Sequence, residues 1–206
     1  MYDVNHTIRE FLNGAAARQP APGGGSVTAL VGALAASMGE MVLNYSVGKK
    51  SLAAHEPELR TALAEFTRLR AMMLQLMVED QAAYEAITAL RKLPADDAER
   101  KDKYAATLLA CIRVPEAMAA GGVAALQLCG QLVEKANVYL LSDLAVCAEL
   151  SMAAVRCGIY NVRINLTDVT DPADRASIVA TVDAILAHAT ELVRAVVPSI
   201  WERIAS

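Results

Sequence analysis

Apolar residues recur three and four positions apart along most of the chain, and short polar clusters rich in proline and glycine cut that pattern into six stretches. Thr7-Ile8-Arg9-Glu10 has the spacing of a capping box and predicts a first helix over 7–18. Pro20-Ala21-Pro22-Gly23-Gly24-Gly25-Ser26 breaks the chain, and Ser26 opens a second helix reaching about Gly48. A third helix starts at Glu56-Pro57, where the first turn tolerates proline. It runs to about Arg91 with Leu59, Leu63, Phe66, Leu69, Met73, Leu76, Tyr84 and Ile87 at helical spacing. Leu93-Pro94-Ala95-Asp96-Asp97 ends it. A fourth helix is predicted over 98–134, interrupted or kinked near Pro115 and loosened at Gly121-Gly122. The fifth spans about 140–166, and Asp171-Pro172 starts a last helix that continues to Pro198. No repeat, low-complexity tract or linker divides residues 1–206. Long helices joined by short breaks predict an all-α, up-and-down bundle in a single domain.

Composition sharpens this. Of 206 residues 55% are hydrophobic and only 4% aromatic, with 40 alanines and 24 leucines against three Phe and Trp together. Small and straight-chain residues favour close-packed helices over a sheet. The net charge of −4, with no basic run, argues against nucleic-acid binding. Cys111, Cys129, Cys147 and Cys157 lie in apolar stretches without CxxC spacing and read as small buried hydrophobes in a reducing compartment. The polar start MYDVNHTIRE does not fit a signal peptide. Residues 26–47 are long enough for a membrane span, but Glu40, Asn44 and many alanines and glycines favour a buried bundle helix. The expectation is a cytoplasmic protein with no membrane partner.

Candidate chemistry lies where polar residues interrupt apolar stripes. Asp80 falls on the stripe of Met73, Leu76, Met77, Tyr84 and Ile87, where a carboxylate needs a partner or a wet crevice unless it serves ligand binding or proton transfer. Asp143 shares a face with Leu140, Cys147 and Leu150, and Ser142 beside it offers capping as an alternative. Asn161 and Asn165, four apart, suit either interhelix glue or a ligand. Gly23, Gly24, Gly25 and Ser26 expose amides at a helix start, which suits a carboxylate, phosphate or oxyanion. The segment lacks the Gly-Lys-Ser/Thr of a phosphate-binding loop. His6, His55 and His188 have no partner at metal-ligand spacing.

At about 1.5 Å per residue, Asp80, Asn161, Asn165 and the glycine loop come to one end of such a bundle. Lys49 and Asp143 come to the other. Joining the two groups requires a break near Pro115 or an antiparallel dimer.

In their order and spacing these segments resemble the cyclodeaminase/cyclohydrolase family. The likeness rests on Thr7-Ile8 with Phe11-Leu12, the run from Pro20 to Ser26, Val47-Gly48-Lys49-Lys50, Asp80-Gln81-Ala82-Ala83-Tyr84, Lys92-Leu93-Pro94, Val114-Pro115, Ser142-Asp143 and Asn161-Val162-Arg163-Ile164-Asn165. Two segments depart from the family pattern: Ala136-Asn137-Val138-Tyr139 stands where Gly-Asn-x-Asn is frequent, and Ser51-Leu52 where a lysine and an aromatic are common.

The resemblance implies a homodimeric bundle acting on tetrahydrofolate derivatives, polyglutamylated or not, with no metal and no cofactor beyond the folate substrate. Hydrolysis of 5,10-methenyltetrahydrofolate to 10-formyltetrahydrofolate is the expected reaction, because no formiminotransferase half accompanies the chain. The alternatives are closure of 5-formiminotetrahydrofolate with release of ammonia, or an inactive folate-binding protein. Asp80, Asp143 and Lys49 are the implied catalytic residues. Gly23, Gly24, Gly25, Ser26, Ser142, Asn161 and Asn165 are implied in substrate binding, with the asparagines as donors and acceptors to the pterin. Lys49, Lys50 or Lys92 are expected to meet the glutamate tail.

Overall fold

The computed structural model describes residues 5–205; the polar start Met1-Tyr2-Asp3-Val4 lies outside them. Six α-helices follow in order: α1 Ile8–Ala16, α2 Gly24–Asn44, α3 Glu56–Lys92, α4 Ala98–Leu132, α5 Leu141–Asn165 and α6 Pro172–Ala205. Short 3-10 turns at Lys50–His55, Val138–Leu140 and Leu166–Asp168 connect them, and no strand occurs among the described residues. Helices α2 to α5 form an up-and-down four-helix square, α2 packing on α3 and α5, and α4 closing the far side. Helix α6 lies in the groove between α4 and α5, and α1 covers the end where α2 begins through Phe11, packed with Ala29, Ala33, Met73 and Met118.

Local chemistry sets the ends. Thr7 and Glu10 form the reciprocal capping box, Thr7 Oγ1 accepting from the Glu10 amide at 3.2 Å. Asp171 accepts from the amides of Ala173 and Asp174 at 2.7 and 3.0 Å to start α6. Helix α2 starts two residues earlier than expected and stops at Asn44, so the stretch to Gly48 is a turn in which Gly48 takes φ +79°. Its small residues let α3 approach closely. A methyl on Gly32 would stand 2.7 Å from the Met73 sulfur, and one on Gly39 2.6 Å from the Phe66 ring. By length and composition α2 is one of four helices able to cross a membrane. Yet Ala29, Ala36, Val42 and Leu43 bury that apolar surface against the other helices.

Two prolines depart from expectation. Helix α4 runs through Pro115 unbroken, and α6 continues past Pro198 to Ala205. A helical proline removes the amide that would bond the carbonyl four residues back, so its helix continues where other contacts compensate. For Pro115 that carbonyl is Cys111 O, which accepts from Asn165 Nδ2 of α5 at 3.1 Å. Beyond Pro198, fully buried Ile200 anchors the last turns, with Arg203 bonded to the Val133 and Ala136 carbonyls. An unbroken α4 leaves the two ends of the bundle apart by the length of α2, about 30 Å.

Candidate active site

A cavity of about 420 Å³ opens where α2 begins and where α3 and α5 approach their ends. Asp80, Tyr84, Ile87 and Arg91 line it from α3, Asn161, Ile164 and Asn165 from α5, Cys111 from α4, and Gly23, Gly24, Gly25 and Ser26 from the start of α2. Of the sequence candidates, the structure therefore gathers the glycine loop, Ser26, Asp80 and both asparagines.

Helix α2 has Gly23 at its N-cap and no side-chain cap of its own. Its first amides lack intrahelical acceptors. The Asp80 carboxylate, reaching across from α3, faces the Ser26 amide and hydroxyl. This approach explains Gly25: a methyl there would overlap the carboxylate itself. Burial pushes the Asp80 carboxyl above the usual carboxylate range, and the Ser26 hydroxyl and amide pull the other way. The Ser26 hydroxyl is fully buried against this carboxylate.

The asparagines are polarised by the fold. Asn161 Nδ2 donates to Cys157 O at 2.9 Å and to Thr28 Oγ1 at 3.2 Å, and Thr28 in turn donates to Gly24 O at 2.7 Å. Asn165 Nδ2 donates to Asn161 O at 2.9 Å and to the carbonyl freed by Pro115. Both NH₂ groups are committed inside the protein, so each asparagine offers the cavity only its Oδ1 acceptor. The expectation of donors as well as acceptors is corrected here. Cys111 contributes a neutral thiol, its ionisation pushed up by burial.

Arg91, Tyr84 and Thr28 are contributions the sequence reading missed. Arg91 extends the stripe of Asp80, Tyr84 and Ile87 by one further helical step, a signal present in the spacing. Its Nη2 donates to Asp168 Oδ2 at 2.8 Å, and the Tyr104 hydroxyl donates to the same oxygen at 2.6 Å. The Tyr104 hydroxyl first, and Arg91 second, hold the Asp168 carboxyl below the usual range.

Lys49, Ser142 and Asp143 lie at the opposite end. Lys49 Nζ stands 5.7 Å from the centre of the Tyr139 ring, and Tyr139 is 84% exposed. Asp143 is half-buried in the first turn of α5, where the helix dipole favours it, and Ser142 is exposed. The capping alternative for Ser142 is not realised, since Leu140 is the N-cap without a side-chain bond. Asn137 organises this end: its amide donates to Ser46 Oγ at 2.9 Å and its Nδ2 to Tyr45 O at 3.2 Å. Ala136 is fully buried with negative φ, so this loop needs no glycine there. Lys92 is exposed and does not line the cavity. Among the described residues no three His, Cys, Asp or Glu side chains converge to hold a metal ion.

An all-helical bundle with a desolvated carboxylate seated on a glycine-rich helix start is the framework of an acid–base enzyme site for a small polar ligand. Comparisons with known proteins give that framework a family. The profile described as "Formiminotransferase-cyclodeaminase" matches residues 7–184, and the chain belongs to this family. It is 30% identical over 199 residues to a methenyltetrahydrofolate cyclohydrolase of Methylorubrum extorquens, spanning 91% of this chain and 92% of that one. It is 31% identical over 190 residues to a formimidoyltransferase-cyclodeaminase of Sus scrofa, covering 90% of this chain but 35% of that longer protein. A crystal structure of formiminotetrahydrofolate cyclodeaminase from Thermotoga maritima superposes with a TM-score of 0.88 at 25% identity, over 96% of each chain.

Proposed function

We propose that the protein hydrolyses 5,10-methenyltetrahydrofolate to 10-formyltetrahydrofolate, with Asp80 as the general base. The single observation that carries this reading is a buried carboxylate, its pKa raised by that burial, set against the first amides of α2 in a cavity of ligand size. Family membership and near full-length similarity to a cyclohydrolase support the substrate class.

The methenyl carbon is the centre of a cationic amidinium, which a carboxylate attracts. Asp80 takes a proton from water as the new C–O bond forms at that carbon. The tetrahedral carbinol then loses its hydroxyl proton while N5 receives one, the C–N5 bond breaks, and the formyl group stays on N10. One proton is released per turnover. The first amides of α2 suit the oxygen of the tetrahedral intermediate. Asn161 Oδ1 and Asn165 Oδ1 suit N–H groups on the pterin edge.

The protein works as a homodimer in this reading. Helix α2 exposes Val27, Leu34 and Met41 along one face, continued by Tyr45 just past its end, without a charged side chain on the stripe. Leu34 is the midpoint of α2, so antiparallel pairing about it sets Val27 against Met41 of a second copy. That pairing carries the Lys49 and Asp143 end of one copy to the Asp80 cavity of the other, which gives Lys49, Ser142 and Asp143 a place beside the substrate. Four unbridged cysteines suit a cytoplasmic location.

Cyclodeamination of 5-formiminotetrahydrofolate is the second reading, favoured by the likeness to the Thermotoga structure. Both reactions pass through a tetrahedral carbon between N5 and N10. Offering each substrate to the purified protein separates them. Loss of the methenyl absorbance without ammonia supports the hydrolase, whereas appearance of that absorbance with ammonia from the formimino substrate overturns it.

A further inference from the structure

Asp80, Tyr84, Ile87 and Arg91 all line the cavity and are spaced four, three and four residues apart on α3. They therefore form one straight rail three helical turns long, about 16 Å from first to last. Asp80 stands at one end beside the α2 amides. Arg91 stands at the other, 42% exposed, with Tyr84 and Ile87 as an apolar strip between them. Among the described lining residues Asp80 is the one carboxylate and Arg91 the one cation, so the slot is bipolar along its length.

The substrate of the proposed reaction has matching polarity. Its amidinium is cationic, an aromatic ring follows, and the glutamate carboxylates lie roughly 10 Å beyond N10 by covalent geometry. The rail spans that length once the reach of its two end side chains is subtracted. Arginine presents five N–H donors in a planar fork, and Asp168 and Tyr104 engage only the Nη2 and Nε positions. Among the described residues nothing engages the Nη1 edge, and the ion pair with Asp168 keeps the fork in place.

We infer that Arg91 anchors the glutamate carboxylate of the substrate and so fixes its direction in the slot, with the one-carbon centre at Asp80 and the acidic tail toward Arg91 and Thr167. This inference rests on the folate reading above and assigns to Arg91 the task that the sequence had suggested for Lys49, Lys50 or Lys92. Additional glutamates of a polyglutamate chain leave past Thr167 into solvent.

The test compares 5-formyltetrahydrofolate with 5-formyltetrahydropteroate, which ends at the benzoate and lacks glutamate, by calorimetric titration. Wild type is expected to bind the folate roughly 10- to 100-fold more tightly, the range for a charge-assisted contact. Arg91→Met is expected to abolish that preference while leaving pteroate affinity unchanged, and Arg91→Lys to restore part of it. Asp168→Asn tests the tethering role: it loosens the fork but keeps the guanidinium, and the preference is expected to shrink without vanishing. Equal weakening of both ligands by Arg91→Met, or loss of the preference in Asp168→Asn alone, would overturn the inference. If wild type binds both ligands equally well, the anchor is wrong and the folate reading stands. If it binds neither, the folate reading fails and takes the anchor with it.

Discussion

Three consecutive glycines at the start of α2 stand at three different distances from the site, and alanine at each is expected to give a graded result. A methyl on Gly23 would meet only Pro20 O at 3.5 Å, an ordinary contact, and its φ of −107° and ψ of −164° are open to alanine. Reduced freedom of the unfolded chain favours that variant by about 0.4–1 kcal/mol. Alanine's poorer N-capping offsets most of the gain. Activity within two-fold of wild type is expected. A methyl on Gly24 would stand 3.1 Å from Asn161 Oδ1, so that acceptor shifts by a few tenths of an ångström. A raised KM with kcat nearly unchanged follows. A methyl on Gly25 falls on the Asp80 carboxylate and displaces it. Removing a positioned base costs roughly 10²- to 10⁴-fold in rate. Overpacking costs about 1–3 kcal/mol, and alanine's better helix propensity returns about 1 kcal/mol of that. The net loss of about 0–2 kcal/mol corresponds to at most several degrees in Tm at this chain length. The assay pairs the decay of the methenyl absorbance with a thermal melt. Full activity in Gly25→Ala, or equal losses at all three positions, would refute the placement of Asp80 against α2.

Other outcomes follow from the same geometry. The Ser26 hydroxyl lowers the Asp80 carboxyl against the larger effect of burial, so Ser26→Ala raises it further. The active form is ionised Asp80, and the acid limb of the pH–kcat profile is expected to move to higher pH; a shift downward would contradict this. Asn165→Ala leaves Cys111 O without its donor and should cost about 1–3 kcal/mol, read as a lower Tm. Pro115→Ala restores an intrahelical donor to that carbonyl, so in this background the cost of Asn165→Ala should shrink; unchanged cost would break the link between the two residues. Leu34→Asp places a charge at the centre of the exposed α2 stripe, and sedimentation should then report monomer where wild type reports dimer. Unchanged mass would remove α2 from the interface.

Much of this architecture is legible in the sequence because it rests on local rules. The Thr7 and Glu10 box, Pro57 in the first turn of α3 and the Asp171 cap need only neighbouring residues, and they place three helix starts. The separation of Asp80 from Lys49 and Asp143 follows from helix lengths alone. What local rules miss is compensation across helices. Pro115 reads as a break because nothing nearby in sequence replaces its missing amide, whereas Asn165, fifty residues later, supplies the donor. The same bond turns Asn165 into an acceptor toward the cavity, an orientation no spacing argument contains. Arg91 was hidden differently. It falls on the Asp80 stripe but also in the last turn of α3, where a basic residue is accounted for by the helix dipole.

The central claim is that a cavity built on Asp80 opens the methenyl bridge by attack of water. Wild type and Asp80→Asn should be compared side by side for decay of the 5,10-methenyltetrahydrofolate absorbance, with a melt confirming that both are folded. Decay well above buffer with wild type and a loss of at least 10²-fold in the variant is the expected result. Decay indistinguishable from buffer with wild type, or activity in Asp80→Asn within a few-fold of wild type, would contradict the account.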